Sequence, residues 1–426
     1  MKAVSKRSLL NLGAASVVTA ALPFPTKADA TTVRWAQWKT TEVGEKFMNE
    51  LKAAFEKDNP GITLELVDSP FQGFHDKSVV LYQAKKLPDV LLVQVDWVAE
   101  FADLGMLTPI DGWIAKETDP TYMAGIPPTF RTKWRGKQYY LPIEGGVIAL
   151  FYNTALFKAA GLSGPPRTWA EFDEYAQKLT NPPKKQFAMT GTLGIEPPTN
   201  ATYDIYPLLL QAGAKLIDPA TNKAVFNSPE GVKAIEEYVT QINTLKISVP
   251  GVLSNGEKEK RANFASGNVA MMHEGPWGVA IQNGLNPKLE YDIAPMPKGA
   301  TTGSIVRGSL NTVTTQAQDK EAAWKFVRWM SSPKGSEMWA RGTGGFPSRL
   351  DVLSQDWFKQ NKLFNAFTEQ MSQANAESPF LVMPNAVEMN KIVTTEVQNV
   401  VQGKKSAKQA LDDAAAEWNK IFAAAK

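Results

Sequence analysis

The chain has 426 residues, 46 basic and 43 acidic, with two histidines and no cysteine. Disulfide staples are therefore excluded, a zinc site built on His75 and His273 alone is not expected, and stability has to come from buried cores, of which this length allows two. The slight basic excess does not point to nucleic acid or an anionic membrane. Four of the basic side chains (Lys2, Lys6, Arg7, Lys27) and one acidic one (Asp29) fall in the first 30 residues, and the rest is formally neutral.

Those 30 residues read as a secretory signal: a basic start, an apolar stretch from Leu9 to Leu22, and the small-x-small site Ala28-Asp29-Ala30. Cleavage after about Ala30 and release into the periplasm are expected. Ser5-Lys6-Arg7-Ser8-Leu9-Leu10 is similar to a twin-arginine signal with Lys in place of the first Arg, so general secretion is the default and twin-arginine export the alternative. No cysteine follows to take a lipid anchor. No later run is long and apolar enough to span a bilayer.

Strands then alternate with helices. Val33–Ala36 reads as a strand, and Thr41–Asp58 as a helix with Val43, Phe47, Leu51, Ala54 and Phe55 on one face, stopped by Asn59-Pro60-Gly61. Ile62–Val67 is a strand, Phe74–Lys86 a helix, and Val90–Val95 an apolar run that fits a strand buried on both faces of a parallel sheet. This repetition predicts a right-handed doubly wound layer. A turn at Gly136 leads into an extended segment that Glu144-Gly145-Gly146 interrupts before Val147–Tyr152 resumes it. Helices follow at Thr154–Gly161, Thr168–Leu179 (Thr168 as N-cap, Glu171 three residues on), Tyr203–Ala212 and Pro229–Leu245. The stretch 264–278, FASGNVAMMHEGPWG, reads as a strand ending in a tight turn that presents Trp277. Tyr291–Pro297 is extended, Ser309–Thr314 a strand and Asp319–Met330 a helix. From Ser406 an amphipathic helix carries Leu411, Ala414, Ala415, Trp418 and Phe422 on one face.

Several short motifs occur in a fixed order along nearly the whole chain. They are Trp35-Ala36-Gln37-Trp38, Phe55-Glu56-x-x-Asn59-Pro60-Gly61-Ile62, Leu87-Pro88-Asp89-Val90, Phe101-Ala102-Asp103-Leu104-Gly105, Tyr139-Tyr140-Leu141-Pro142 and Tyr152-Asn153-x-x-Leu156-Phe157. Thr168-Trp169-x-Glu171-Phe172, Glu274-Gly275-Pro276-Trp277, Ala294-Pro295-Met296-Pro297 and Ala322-Ala323-Trp324-Lys325-Phe326 complete the set. In order and spacing the set resembles the extracellular solute-binding proteins of ABC importers, of the carbohydrate-binding, maltose-binding-protein-like type. The resemblance implies an α/β, two-lobe periplasmic binding protein fold of type II, each lobe a central sheet flanked by helices, joined by hinge crossings. The implied division is 31–143 with about 297–345 for the first lobe, and about 147–293 with about 350–426 for the second. Crossings are expected near Ile143–Val147, near Ile293–Pro297 and after Gly345, with Gly145 and Gly146 suited to hinge motion.

A sugar or polyol needs flat aromatics and planar polar groups. The resemblance gives Trp277 as the stacking platform, with a core tryptophan as the other reading. It gives Asp96, just past a strand end where open sheets hold ligands, as a hydroxyl acceptor; an N-cap for Trp97–Leu104 is the alternative. Gln37 and Trp38 follow the first strand, Tyr203 lies where relatives carry a second aromatic, and Glu144 borders the hinge. Gln72, with Phe74 beside it, ranks lower, and Glu274 reads as a hydroxyl acceptor or turn residue. Arg307, Arg341 and Arg349 decide the ligand's charge: an arginine in the cleft suits an acidic or phosphorylated sugar or glycerol phosphate, and surface arginines suit a neutral sugar.

There is no G-x-S-x-G elbow, no phosphate loop and no H-E-x-x-H. The expectation is a monomeric, cofactor-free binder that delivers its ligand to the transmembrane subunits of an ABC permease, with no nucleic-acid partner. The competing class is a secreted glycoside hydrolase pairing Asp96 with Glu144 or Glu274.

Overall fold

The computed structural model describes residues 30–194, 202–373, 376–377 and 379–425. The signal segment before Ala30, and Thr199, Asn200 and Ala201 ahead of Tyr203, lie outside them. Among the described residues the strands are β1 (Thr31–Gln37), β2 (Ile62–Asp68), β3 (Val90–Gln94), β4 (Tyr140–Val147), β5 (Ala149–Asn153), β6 (Phe187–Met189), β7 (Ile217–Asp218), β8 (Lys223–Ala224), β9 (Val269–Glu274), β10 (Tyr291–Ala294), β11 (Ser304–Val313) and β12 (Ala376–Glu377).

One sheet has the order β12-β11-β3-β1-β2, with β4 also on β11. β1 runs parallel to β2, Thr31 opposite Ile62, and parallel to β3, Trp35 opposite Val90. The sequence pattern implies a purely parallel layer, but β11 is antiparallel to both β3 and β4, so the sheet is mixed. The reason is connectivity: β11 enters this sheet on the chain's way back from the other one, not through a βα crossover. β3 lies between β1 and β11 with Val90–Val93 buried, as its unbroken apolar run requires. The second sheet has the order β10-β5-β9-β6, and β7 and β8 form a separate hairpin.

A single residue, Ile148, separates β4 of the first sheet from β5 of the second. Its N–H donates to the Ile305 carbonyl (3.2 Å), and its carbonyl accepts from the Ser304 hydroxyl (2.6 Å). The chain passes back between β10 and β11, where the Met296 N–H donates to Gln370 Oε1 (2.6 Å).

Glu144-Gly145-Gly146 does not interrupt the strand, because β4 runs through it. Neither glycine has a positive φ. What excludes a side chain is space: a Cβ on Gly145 would overlap the Phe130 ring, and one on Gly146 would overlap Pro276. The irregularity sits one residue earlier. Ser309 pairs with Glu144 but Leu310 pairs with Pro142, leaving Ile143 as the extra residue of a bulge that re-aims the Glu144 side chain.

The helices follow the apolar spacing with local corrections. Gly44, at φ +87°, splits the first into Thr40–Val43 and Glu45–Asp58. The third begins at Phe74 but stops at Gln83, and the one from Pro229 ends at Val239 in a π turn, Thr240–Thr244. Thr168 caps Trp169–Leu179, but the Glu171 carboxylate takes the Arg167 N–H (2.7 Å), so the reciprocal half of a capping box is missing. The last helix, Ala407–Ala424, carries a full capping box through Ser406 and Gln409 and buries all five residues of the expected apolar face.

Candidate ligand-binding site

A cavity of about 20 Å³ lies between the two sheets. The first sheet supplies Trp38, Lys39 and Glu42 after β1, Phe71 after β2, Gln94 at the end of β3, Glu144 from β4, and Arg307 and Ser309 from β11. The contributions of β1–β3 come from their carboxyl ends, where open α/β sheets hold ligands. The other wall is Tyr203, Glu257 and Arg261 from helix Glu257–Ala265, and Trp277 just past β9. That volume holds about one water, so a sugar enters only if the walls separate.

The charged groups of the cavity neutralise one another. Lys39 is buried and contacts both Glu42 Oε2 (2.8 Å) and Glu144 Oε1. Burial opposes its charge, but the two carboxylates outweigh that and hold its pKa above the usual lysine value. Burial dominates at Glu42, whose pKa is raised despite Lys39 and Arg261. Glu144 also accepts from the Ser309 hydroxyl (2.8 Å) and the Trp339 indole N–H (3.0 Å). Arg261 pairs with Glu257 (3.0 Å) and Glu274 (2.8 Å). Arg307 donates to Thr202 Oγ1 (2.7 Å) and Gln94 Oε1 (3.2 Å), and stands 3.7 Å from Asp96.

Of the ten residues expected at the site, Trp38, Glu144, Tyr203, Trp277 and Arg307 meet in the cavity wall. Trp38 leans on an aromatic box of Phe71, Phe74 and Trp97, with ring centroids 5.1–5.6 Å away. Trp277 lines the cavity and also packs with Ile148, Tyr203 and Met296.

The other five, and Arg341 with them, lie outside the wall. Gln37 is buried, but its amide is committed to Thr40 Oγ1 (2.8 Å), the Thr40 N–H (3.1 Å) and Asp68. Gln72 is exposed and outside the wall. Glu274 is fully buried behind the wall, where its carboxylate holds Trp277 and Arg261. Arg349 is fully buried in the first-sheet body, bonded to the Tyr122 and Ser331 carbonyls (3.0 Å each) and to Asp351. Arg341 is half exposed against Glu337 and Trp357. Asp96 is fully buried behind Arg307 in the 3₁₀ turn Val95–Trp97. It caps nothing: the N-cap of helix Val98–Asp103 is Trp97, without a side-chain bond. Burial raises its pKa against the pull of Arg307.

Lys39, Glu42, Phe71, Gln94, Glu257, Arg261 and Ser309 line the cavity without having been expected there. Ser309 was findable, since it lies two residues from Arg307 on one strand and shares its face. Nothing in the charged run Glu257–Arg261 marks it as a cavity wall.

The family model described as bacterial extracellular solute-binding protein matches residues 37–337, most of the chain. The chain belongs to this family. A Brucella abortus (strain 2308) binding-protein relative whose name states no ligand is 26% identical over 408 residues, 94% of this chain and 96% of the relative. The sn-glycerol-3-phosphate-binding periplasmic protein of Escherichia coli (strain K12) is 27% identical over 299 residues, 66% of each chain. An ABC transporter solute-binding protein of Thermotoga lettingae TMO, solved with α-D-tagatose, superposes with a TM-score of 0.84 at 27% identity, over 92% of this chain and all of the other. The two-lobe periplasmic binding architecture that the motifs imply is therefore the fold. No helix among the described residues is long and apolar enough to cross a membrane.

Proposed function

We propose that this protein captures a small neutral sugar or polyol for an ABC importer, by closure of two lobes on the ligand and delivery to the membrane permease. The observation that carries this reading is the charge balance of the cavity: Lys39 faces Glu42 and Glu144, Arg261 faces Glu257, and Arg307 faces Asp96. A hydroxyl both donates and accepts, so a polyol can bridge such pairs without unbalancing them, while Trp277, Trp38 and Tyr203 supply flat faces for its C–H surface. An anion would have to displace a carboxylate from its cation. The tagatose bound by the Thermotoga relative fits this class.

The lobes follow the implied division, 31–143 with about 297–345 and about 147–293 with about 350–426, except that β4 carries the first sheet on to Val147 and β12 pairs back onto β11; the chain crosses at Ile148 and between β10 and β11. The protein works as a secreted, cofactor-free monomer, its signal removed after about Ala30, and it performs no reaction on its ligand.

The test is a thermal-shift panel of neutral sugars and polyols, sn-glycerol 3-phosphate and a uronic acid, with product analysis. A saturable shift with a neutral compound at micromolar or tighter affinity, without turnover, is the expected result. Turnover would overturn the binder reading. A shift from the phosphate alone would overturn neutrality and favour the second reading, an anionic ligand on Arg307, whose buried Nε has no hydrogen-bond partner among the described residues.

A further inference from the structure

Strand β9 ends on Glu274, which touches the cavity only through other residues. Its Oε1 accepts from the Trp277 indole N–H (2.7 Å) and the Gly275 backbone N–H (2.9 Å). Its Oε2 accepts from Arg261 Nε (2.8 Å) and faces Lys260 Nζ at 3.3 Å. Arg261 in turn holds Glu257 at 3.0 Å. Lys260, itself fully buried, donates to the His273 carbonyl (2.8 Å) and sets its ammonium 3.2 Å from the centre of the Tyr203 ring. Among the described residues Trp277, Arg261, Glu257 and Tyr203 make the second wall of the cavity, and each is one or two contacts from this one carboxylate. Gly278 leaves it room, since a Cβ there would overlap the Glu274 stem.

Resting on the reading of the cavity as the ligand site, we infer that Glu274 is the positioning residue that fixes the second wall, and with it ligand selectivity, without reaching the ligand. The chemistry requires a carboxylate. The side chain meets N–H donors at both ends, the indole and the Gly275 amide on one side and the guanidinium and ammonium on the other. A carboxylate accepts at both ends, whereas an amide accepts at one and donates at the other. Burial opposes the charge, but Arg261 and Lys260, with the hydrogen bonds from Arg261 and Gly275, hold the carboxyl at about 2. The anchor is therefore charged throughout the physiological range.

The test reads amide-type protons and needs no ligand. The Trp277 indole N–H and the Arg261 Nε–H are followed by ¹H–¹⁵N spectroscopy and hydrogen exchange in the secreted chain, assigned through Trp277→Phe and Arg261→Met. In Glu274→Gln one of the two protons should exchange roughly tenfold faster, because a charge-assisted acceptor is lost at one end. In Arg261→Met the indole proton of Trp277, which Arg261 does not hydrogen-bond, should also exchange faster. Both rates within about twofold of wild type in a cooperatively melting Glu274→Gln would overturn the proposal, on the scale of the bond at stake. Should Glu274→Gln not fold, an unchanged indole rate in Arg261→Met overturns it instead. Failure of the sugar reading would show in the ligand panel and leave these rates untouched.

Discussion

Arg349 and Arg307 are both buried, yet removing them should have opposite signatures, and Arg349→Met is the sharper experiment. The Arg349 guanidinium fills a space that Gly125 leaves open, where any Cβ would overlap it. It donates to two backbone carbonyls, Tyr122 and Ser331, at 3.0 Å each. Hydrogen bonds from a charged donor contribute about 1.5–3 kcal/mol apiece, and loss of the donor leaves two buried carbonyls unpaired. The Asp351 partner is 45% exposed, so that pair adds less than about 1 kcal/mol. The Tyr122 ring, 5.4 Å from the guanidinium carbon, adds about 0.5–1 kcal/mol. Methionine keeps the apolar stem, and the net cost comes to about 3–5 kcal/mol. With a urea slope of about 3 kcal/mol/M for a chain this long, the unfolding midpoint should fall by roughly 1–1.7 M. Affinity for the compound selected by the panel should not change, because nothing in this arrangement touches the cavity. A midpoint within about 0.3 M of wild type would refute the clamp. A folded variant that no longer binds would return Arg349 to the cleft.

Trp277→Ala should abolish most of the ligand-induced thermal shift, an affinity loss of at least about tenfold for a central aromatic platform, while the apoprotein still melts cooperatively. Thr202→Val removes the acceptor that ties Arg307 of β11 to the segment ahead of helix Ile205–Gln211; scattering of the ligand-free protein should show a larger radius of gyration, and an unchanged radius would deny this bond a part in closure. Asp173 lies beside Glu237, with Gln241 donating to both (3.1 and 3.3 Å), and burial and then the neighbouring carboxylate push its pKa up to about 7. The folded state thus holds a proton the unfolded chain releases near 3.8, so stability should decline as pH rises between those values and level off above 7. Asp173→Asn should flatten that decline, and an identical pH profile in the variant would exclude the pair as its source. Gly145→Ala, which drives a Cβ into Phe130, should cost about 1–3 kcal/mol by denaturant titration despite the ordinary φ.

The strands and helices were legible because they carry a period: β3 as an apolar run, the last helix as a stripe ending in Trp418 and Phe422. Glu144-Gly145-Gly146 looks like a break because a glycine that ends a strand and one that makes room inside it look the same in sequence. Here the neighbours that demand the space, Phe130 and Pro276, come from distant segments. Gln37 is the last residue of β1 rather than part of the loop after it, and whether its amide faces a cleft or folds back onto Thr40 and Asp68 depends on β2 lying beside β1. Aromatic positions fared better. A large flat ring at a strand end is costly to leave in water, and the exits of β1 and β9 both border the cavity that Trp38 and Trp277 line.

Charge was the least legible property, and for one reason. Near-neutral composition says nothing about local balance: Lys39 with Glu42 and Arg261 with Glu257 are close in the chain, but Lys39 with Glu144 is 105 residues apart, and Arg307 of β11 meets Asp96 in the turn after β3 only because the two strands pair. Each arginine looked alike in sequence because a guanidinium's role depends on what waits opposite it. Opposite Arg349 are two carbonyls, which fix it as structure; opposite Arg307 are Thr202, Gln94 and an Asp96 whose own oxygens have no hydrogen-bond donor among the described residues. A ligand hydroxyl is the group that can donate to a cavity carboxylate and accept from a cavity guanidinium in one place. The neutral reading therefore rests on the pairing of these charges, which no count of them could supply.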